Sequence, residues 1–275
     1  MYNTLIALGA AAVTYLLSSL VAGWIAGFLP AVLVLGIVWF LLTRRTGQRV
    51  QAVMATAMEH AQAQRMDDAR RVLTEAMPLG QWQYLVTEQI ELQLGSLDYL
   101  EAAGLGLQKQ VTASKAAFAN AKAHFEVAAK GGWRRLLLGW QPTAMLACSL
   151  HREGRSDDAL KLLATASTGR TDPVFWGLYA WMLNENRRRD EALQVLGRGL
   201  KEHAKSPPLL TMQEALSNKK RPDMMPFGEQ WYAFFPEDMR NDPKVIELAK
   251  AQQARQQAQA PRRPPPGKTW PQPRR

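Results

Sequence analysis

One thiol and four imidazoles are the side chains with the most chemical potential in this sequence. Cys148 and His151 stand three residues apart, which on a helix places them one turn apart on a shared side, as a thiol nucleophile and its base require. The competing reading is a packed interior, because a cysteine in a helical core is buried and inert. That reading is adopted, and the chain is expected not to be an enzyme. His60, His124, His151 and His203 are far apart and match no zinc-binding spacing. With Cys148 the only cysteine, no disulfide framework and no cysteine-pair metal site is available. No Gly-rich phosphate loop follows a strand, so neither metal nor cofactor is expected. The acid pairs Asp157-Asp158 and Asp190-Glu191 are read as helix openings, where carboxylates meet the positive end of the dipole.

The thiol and His151 belong to the first of two similar stretches, residues 141–168 and 174–200. Each reads as an apolar helix, a turn with arginine and an acid pair, and a second helix opening on Ala-Leu. Setting Ala159 on Ala192 gives a register of 33 residues, the period of a helical repeat. Asp67-Asp68-Ala69-Arg70 echoes the same turn earlier in the chain, after a break near Gln64-Arg65-Met66.

On these residues the two stretches resemble tetratricopeptide repeats, a family of paired antiparallel helices with small residues at their crossings. Trp176, Tyr179, Ala180, Leu183, Ala192 and Leu196 match the motif in one copy; Leu146, Ala147, Leu150, Ala159, Leu163 and Ala166 match it in the other. Thr143 stands where the first copy should carry Trp, and Gly199 replaces the later Ala of the second. The resemblance implies a concave groove lined by the first helix of each repeat. By position its candidates are Ala144, Cys148 and His151, then Gly177, Trp181 and Asn184. Ala144 and Cys148 replace the Lys and Asn of carboxylate-clamping members, so a fairly apolar groove is expected, suited to an amphipathic helix or extended apolar segment. Trp181 is either its aromatic floor or ordinary inter-helix core.

What precedes the repeats is of another kind. Residues 2–43 contain no Asp, Glu, Lys or Arg. As one helix they would extend roughly 63 Å, about twice the hydrocarbon thickness of a bilayer, so two spans are expected. Gly23, Gly27 and Pro30 place a turn at residues 22–27, with Pro30 in the first turn of the second helix, where its missing N–H costs least. The Met-Tyr-Asn-Thr start has neither the basic residue nor the cleavage site of a secretory signal. Arg44, Arg45 and Arg49 follow directly, and positive residues flanking a span stay in the cytoplasm. The chain is thus expected to be an integral membrane protein whose helical domain faces the cytoplasm, whether the first helix spans or lies in the interface.

Between the echo and the repeats, residues 81–94 read as an apolar-periodic helix ended by Gly95. Leu97, Leu100, Gly104, Leu107, Val111, Ser114, Phe118, Ala121, Phe125 and Ala128 alternate spacings of three and four. That stripe predicts one long helix, in preference to two helices broken at residues 112–114. Gly131-Gly132 ends it, and residues 133–140 join it to the repeats. Ser206-Pro207-Pro208 opens a further helix that closes near Asn218, and Lys219-Lys220-Arg221 suits a helix C-terminus. Phe227, Trp231, Tyr232, Phe234 and Phe235 then crowd between prolines. They form either a cap folded back on the open end of the repeats or an exposed docking patch. Asp242-Pro243 starts a polar helix reaching about residue 258, and the basic, Pro-rich tail is expected to be disordered.

The expected fold class is all-α: a transmembrane helical hairpin (residues 1–45), an irregular TPR-like solenoid with one long helix (46–221), an aromatic capping segment with a polar helix (222–258) and a disordered tail (259–275). Half of the formal net charge of +10 lies in that tail, with five basic residues and no acid, and the tail is open to anionic lipid or an acidic partner; no sequence-reading nucleic-acid module is expected. The function this suggests is a membrane-anchored adaptor that recruits a protein or peptide through its groove. The alternative is a constitutive structural subunit of a larger membrane assembly.

Overall fold

The computed structural model describes residues 2–130, 139–167, 171–243, 245–247 and 251. The join over 131–138, most of the polar helix expected over 243–258 and the basic tail lie outside the described residues. Within them the chain is all-helical.

Helices α1 (Tyr2–Ala22) and α2 (Phe28–Gln62) form an antiparallel pair around the turn at Gly23. Both are long and apolar enough to cross a membrane. Their contact is built from small residues: Ala7 and Ala31 are buried, and an added Cβ at Gly27 would stand 3.1 Å from Ser19 N. The hydroxyls of Thr14, Ser18 and Ser19 bond carbonyls of their own helix, so they leave no unmet donor on an apolar surface. At the far end Asn3 Nδ2 donates to Thr46 Oγ1 at 2.9 Å, both residues buried.

The arginines after the apolar run do not end α2. No proline intervenes before Gln62, and arginine is a good helix former. The apolar face re-forms at Val50, Met54, Ala57 and Ala61, which join one core cluster with Ala69 and Leu73 of α3 (Met66–Glu75) and Ala76 just after it. One helix therefore carries both the apolar segment and the first layer of the domain.

The domain continues as α4 (Val86–Leu107) and α5 (Val111–Ala129), α6 (Gln141–Arg152) and α7 (Ser156–Ala166), α8 (Pro173–Glu185) and α9 (Arg189–Glu202), and α10 (Pro207–Ser217). Each pair packs on itself and on its neighbour. The acid pairs lie in the first turns of α3, α7 and α9 as expected. Ala69, Ala159 and Ala192 are each fully buried at the equivalent place.

Two expectations need correction. The predicted single long helix is two helices, α4 and α5, packed antiparallel, and they part at residues 108–110, before the break considered at 112–114. Lys109 takes the left-handed conformation (φ 62°), and Gln110 N bonds Leu105 O at 3.0 Å. The same turn recurs at Gln64, Gly154, Arg187 and Lys219, all at positive φ, with the following N–H bonded five residues back in every case. Such a helix stop normally announces itself by glycine, and among the five only Gly154 does so. The apolar stripe runs on through the Lys109 turn because each helix of a hairpin keeps a face for the other: Ser114 Oγ donates to Ala102 O at 2.7 Å across it.

Gly95, in turn, does not end a helix. Residues 77–85 form a 3₁₀ turn (Met77–Gln81) and a left-handed Leu85, and α4 begins only at Val86 and runs through Gly95. The glycine is there for packing: a Cβ would stand 2.6 Å from Phe125 Cε1. Gly199 has the same explanation, since Trp176 Cγ would lie 2.6 Å from its Cβ.

Candidate functional site

The first helices of successive pairs, α4, α6 and α8, present Tyr99, Trp140 with Arg152, and Gly177 with Trp181. The segment after α10 is laid against all of them. Gly228 starts its short helix α11 (Glu229–Tyr232) with φ 57° and ψ −137°, a conformation essentially open to glycine alone. Phe227 fills the space over Gly177, where a Cβ would meet its Cζ at 2.4 Å. Trp231 and Phe235 close on Trp181 with ring centroids 5.4 and 4.7 Å away, and Phe234 lies 6.0 Å from Trp140. Phe227, Trp231, Tyr232, Phe234 and Phe235 are all buried. The exposed-patch reading is therefore overturned. The segment also lies along α4, α6 and α8, with only a short contact to α10.

Arg152, at the end of α6, ties this segment down. Its Nε donates to Tyr99 Oη at 2.7 Å, and its Nη2 donates to Glu237 Oε1 at 2.7 Å and Oε2 at 2.9 Å. Tyr99 Oη in turn donates to Phe234 O at 2.7 Å. The guanidinium also lies 4.9 to 5.3 Å from the ring centroids of Phe118, Tyr99 and Phe235, within cation–π range. Burial works against its charge, but Tyr99 and Glu237 outweigh it and push the Arg152 pKa up. Trp231 Nε1 donates to Asp238 Oδ2 at 2.8 Å, and Tyr232 Oη to Asp242 Oδ2 at 2.7 Å. Burial and the Asp242 carboxylate push the Tyr232 phenol up to about 12.

Beside the segment an open cleft of about 780 Å³ remains, walled by Ser114, Lys115 and Phe118 of α5, by His151, Arg152 and Trp181, and by Trp231, Phe235 and Glu237. Its size is that of a ligand or peptide pocket, with an aromatic floor and charges of both signs at its rim. The six groove candidates fare differently. Ala144 and Cys148 are wholly buried, and Gly177 is covered by Phe227. His151 and Trp181 reach the cleft, their rings 5.4 Å apart edge to face. Asn184 is partly exposed and lies outside the cleft lining.

Cys148 and His151 do not assemble as a nucleophile and base. Burial pushes the thiol up, away from the thiolate, and His151 Nδ1 is 3.1 Å from Ser156 Oγ. The His151 pKa is lowered, first by burial. His124, read from sequence only as isolated, meets Glu91 Oε2 at 2.5 Å and Asp98 Oδ2 at 3.6 Å. Among the described residues no group of three or more metal-ligating side chains is disposed to hold an ion.

Tyr99, Arg152 and Glu237 are among the site residues that sequence reasoning did not single out. Tyr99 falls off the apolar stripe between Leu97 and Leu100, and Arg152 is one more basic residue at a helix end. Their partners lie 53 to 135 positions away, and no periodic signal carries that information.

Fold and cleft together define an all-helical protein with two apolar N-terminal helices. No known family, no characterised protein and no solved structure matches the chain.

Proposed function

We propose that this protein is a membrane-anchored, non-enzymatic scaffold: a hairpin over residues 2–43 embeds it in the bilayer, and a TPR-like helical domain on the cytoplasmic side recruits a protein or peptide. The observation that carries the reading is α2. Its first half is apolar and exposed, with Leu33, Ile37 and Phe40 each more than half exposed, and its second half is the first helix of the domain. Such a surface on a monomer far exceeds the scattered exposure of a soluble protein and calls for lipid cover. The arginines that follow the apolar run favour cytoplasmic placement. The burial of Ala69, Ala159, Ala192, Leu163 and Leu196 at repeat-motif positions supports the TPR-like assignment. The burial of Cys148 supports a binding role over catalysis.

The partner site favoured by this reading is the cleft floored by Trp181. The chain's own aromatic segment, a series of short helical turns, already packs there, so this face accepts aromatic side chains carried on helical turns. Full-length protein should sediment with membranes and resist alkaline extraction; recovery in the soluble fraction without detergent ends the proposal. A photoreactive residue at Lys115, on the rim, should give protein adducts in intact membranes, and lipid adducts alone would remove the recruiting role.

The occupied groove also favours a second reading, in which the protein is a permanent subunit and its interfaces lie elsewhere. Purification in mild detergent separates the two: a fixed stoichiometric complex supports the subunit, and a monomer supports the scaffold.

A further inference from the structure

The turn between α3 and α4 carries no charge from Ala76 to Leu85 and leaves Trp82 and Tyr84 more than 40% exposed. It does not project freely from the domain. Asn3 N donates to Trp82 O at 3.4 Å, and the Tyr2 and Trp82 rings meet edge to face at 5.3 Å. Asn3 also holds Thr46 on α2. Three segments distant in sequence, residues 2–3, 46 and 79–84, therefore meet at one level along the hairpin. That level is where its apolar surface gives way to the exposed Arg44, Arg45 and Arg49.

We infer that residues 79–84 together with Tyr2 form a second contact with the bilayer, in the phospholipid headgroup region, beside the point where the hairpin enters. The inference rests on the membrane reading above. Tryptophan and tyrosine belong at this depth because the ring body is apolar and the ring N–H or O–H is polar, and the adjacent arginines attract lipid phosphates. The patch is continuous with the apolar surface of α1, so it needs no occupant other than the same bilayer. The consequence is a domain held at two points: the unbroken α2 fixes its height, and the Trp82 turn fixes its rotation about α2.

The test uses the full chain in phosphatidylcholine–phosphatidylglycerol vesicles, with Cys148 left in place because it is fully buried. An environment-sensitive fluorophore is attached at Gln81→Cys, which preserves Trp82, and in separate samples at Ile37→Cys and Lys161→Cys. Quenching by lipids bearing a spin label near the headgroup should exceed deep-chain quenching about twofold at position 81, and the order should reverse at 37. Position 161, on α7, should respond to neither. Trp82→Ser in the Gln81→Cys chain should abolish the shallow quenching. If position 81 responds to neither quencher while 37 responds to the deep one, the second contact is overturned and the hairpin stands. If 37 also fails to respond, the membrane reading falls and the inference with it.

Discussion

The molecule has two large apolar surfaces, and it treats them oppositely. Along the hairpin, Leu20 is 83% and Val21 90% exposed; along the groove, Trp231 is 1% and Phe234 3% exposed. The side chains are of comparable hydrophobicity, so the difference lies in what is available to cover them. The groove has a segment of its own chain, held by the carboxylate of Glu237 and a backbone carbonyl on Arg152 and Tyr99. The hairpin has no such cover among the described residues, in line with the lipid cover proposed for it. A surface that the fold covers itself contributes to stability in water. One left for lipid contributes to where the protein resides.

The contrast can be broken most directly by truncation on either side of it. Trp231→Ala should lower unfolding stability by about 3–5 kcal/mol, the usual cost of emptying a buried aromatic site. Leu20→Ala in detergent should change it by about 0.5 kcal/mol or less, as at an exposed position. Denaturant unfolding followed by helical circular dichroism measures both, and equal losses would mean that the two surfaces do not differ in kind.

Arg152→Met tests what holds the cover on. It keeps much of the packing but leaves Glu237 and the Tyr99 hydroxyl without their donor; the pair is partly solvent-exposed, so a loss of about 1–3 kcal/mol is expected. The change should also open residues 222–241 to limited proteolysis before the rest of the domain. If proteolysis is unchanged, Arg152 is not what fixes the segment.

Lys109→Gly should stabilise the protein by about 0.5–1 kcal/mol, because glycine relieves the left-handed strain at the turn. Were α4 and α5 one helix, the same substitution would cost about 1 kcal/mol. The sign alone decides.

The smallest effect is a pH dependence. Burial lowers the folded pKa of His151 from 6.5, so the folded state favours the neutral ring. Its contribution is fully present above pH 6.5 and is lost as pH falls from there through the lowered folded value. His151→Asn should flatten that part of the stability profile, and an unchanged slope would clear His151 of the role.

Much of the fold was legible in local pattern. The charge-free stretch, with its glycines and Pro30, located both apolar helices and the turn between them; acid pairs located the starts of α3, α7 and α9; and the alanines that follow those acid pairs are buried. These signals depend on neighbours three or four residues apart, or on uninterrupted composition. The break at Lys109 was hidden because the turn uses lysine where glycine would have marked it. Gly95 misled for the converse reason: its use is to admit the Phe125 ring, a tertiary matter. At the cleft, His151 and Trp181 are residues that repeat position had also named, whereas Tyr99, Arg152 and Glu237 were not.

The sequence by itself determined an all-helical chain, an apolar hairpin followed at once by arginines, and an aromatic segment too apolar to be left in water. Only the tertiary structure decided that α2 runs unbroken from hairpin to domain, that α4 and α5 fold back on each other, and that the aromatic segment lies against α4, α6 and α8. Periodicity records which face of a helix is apolar. Which surface that face meets is set by long-range shape and by charge pairs such as Arg152 with Glu237, 85 residues apart.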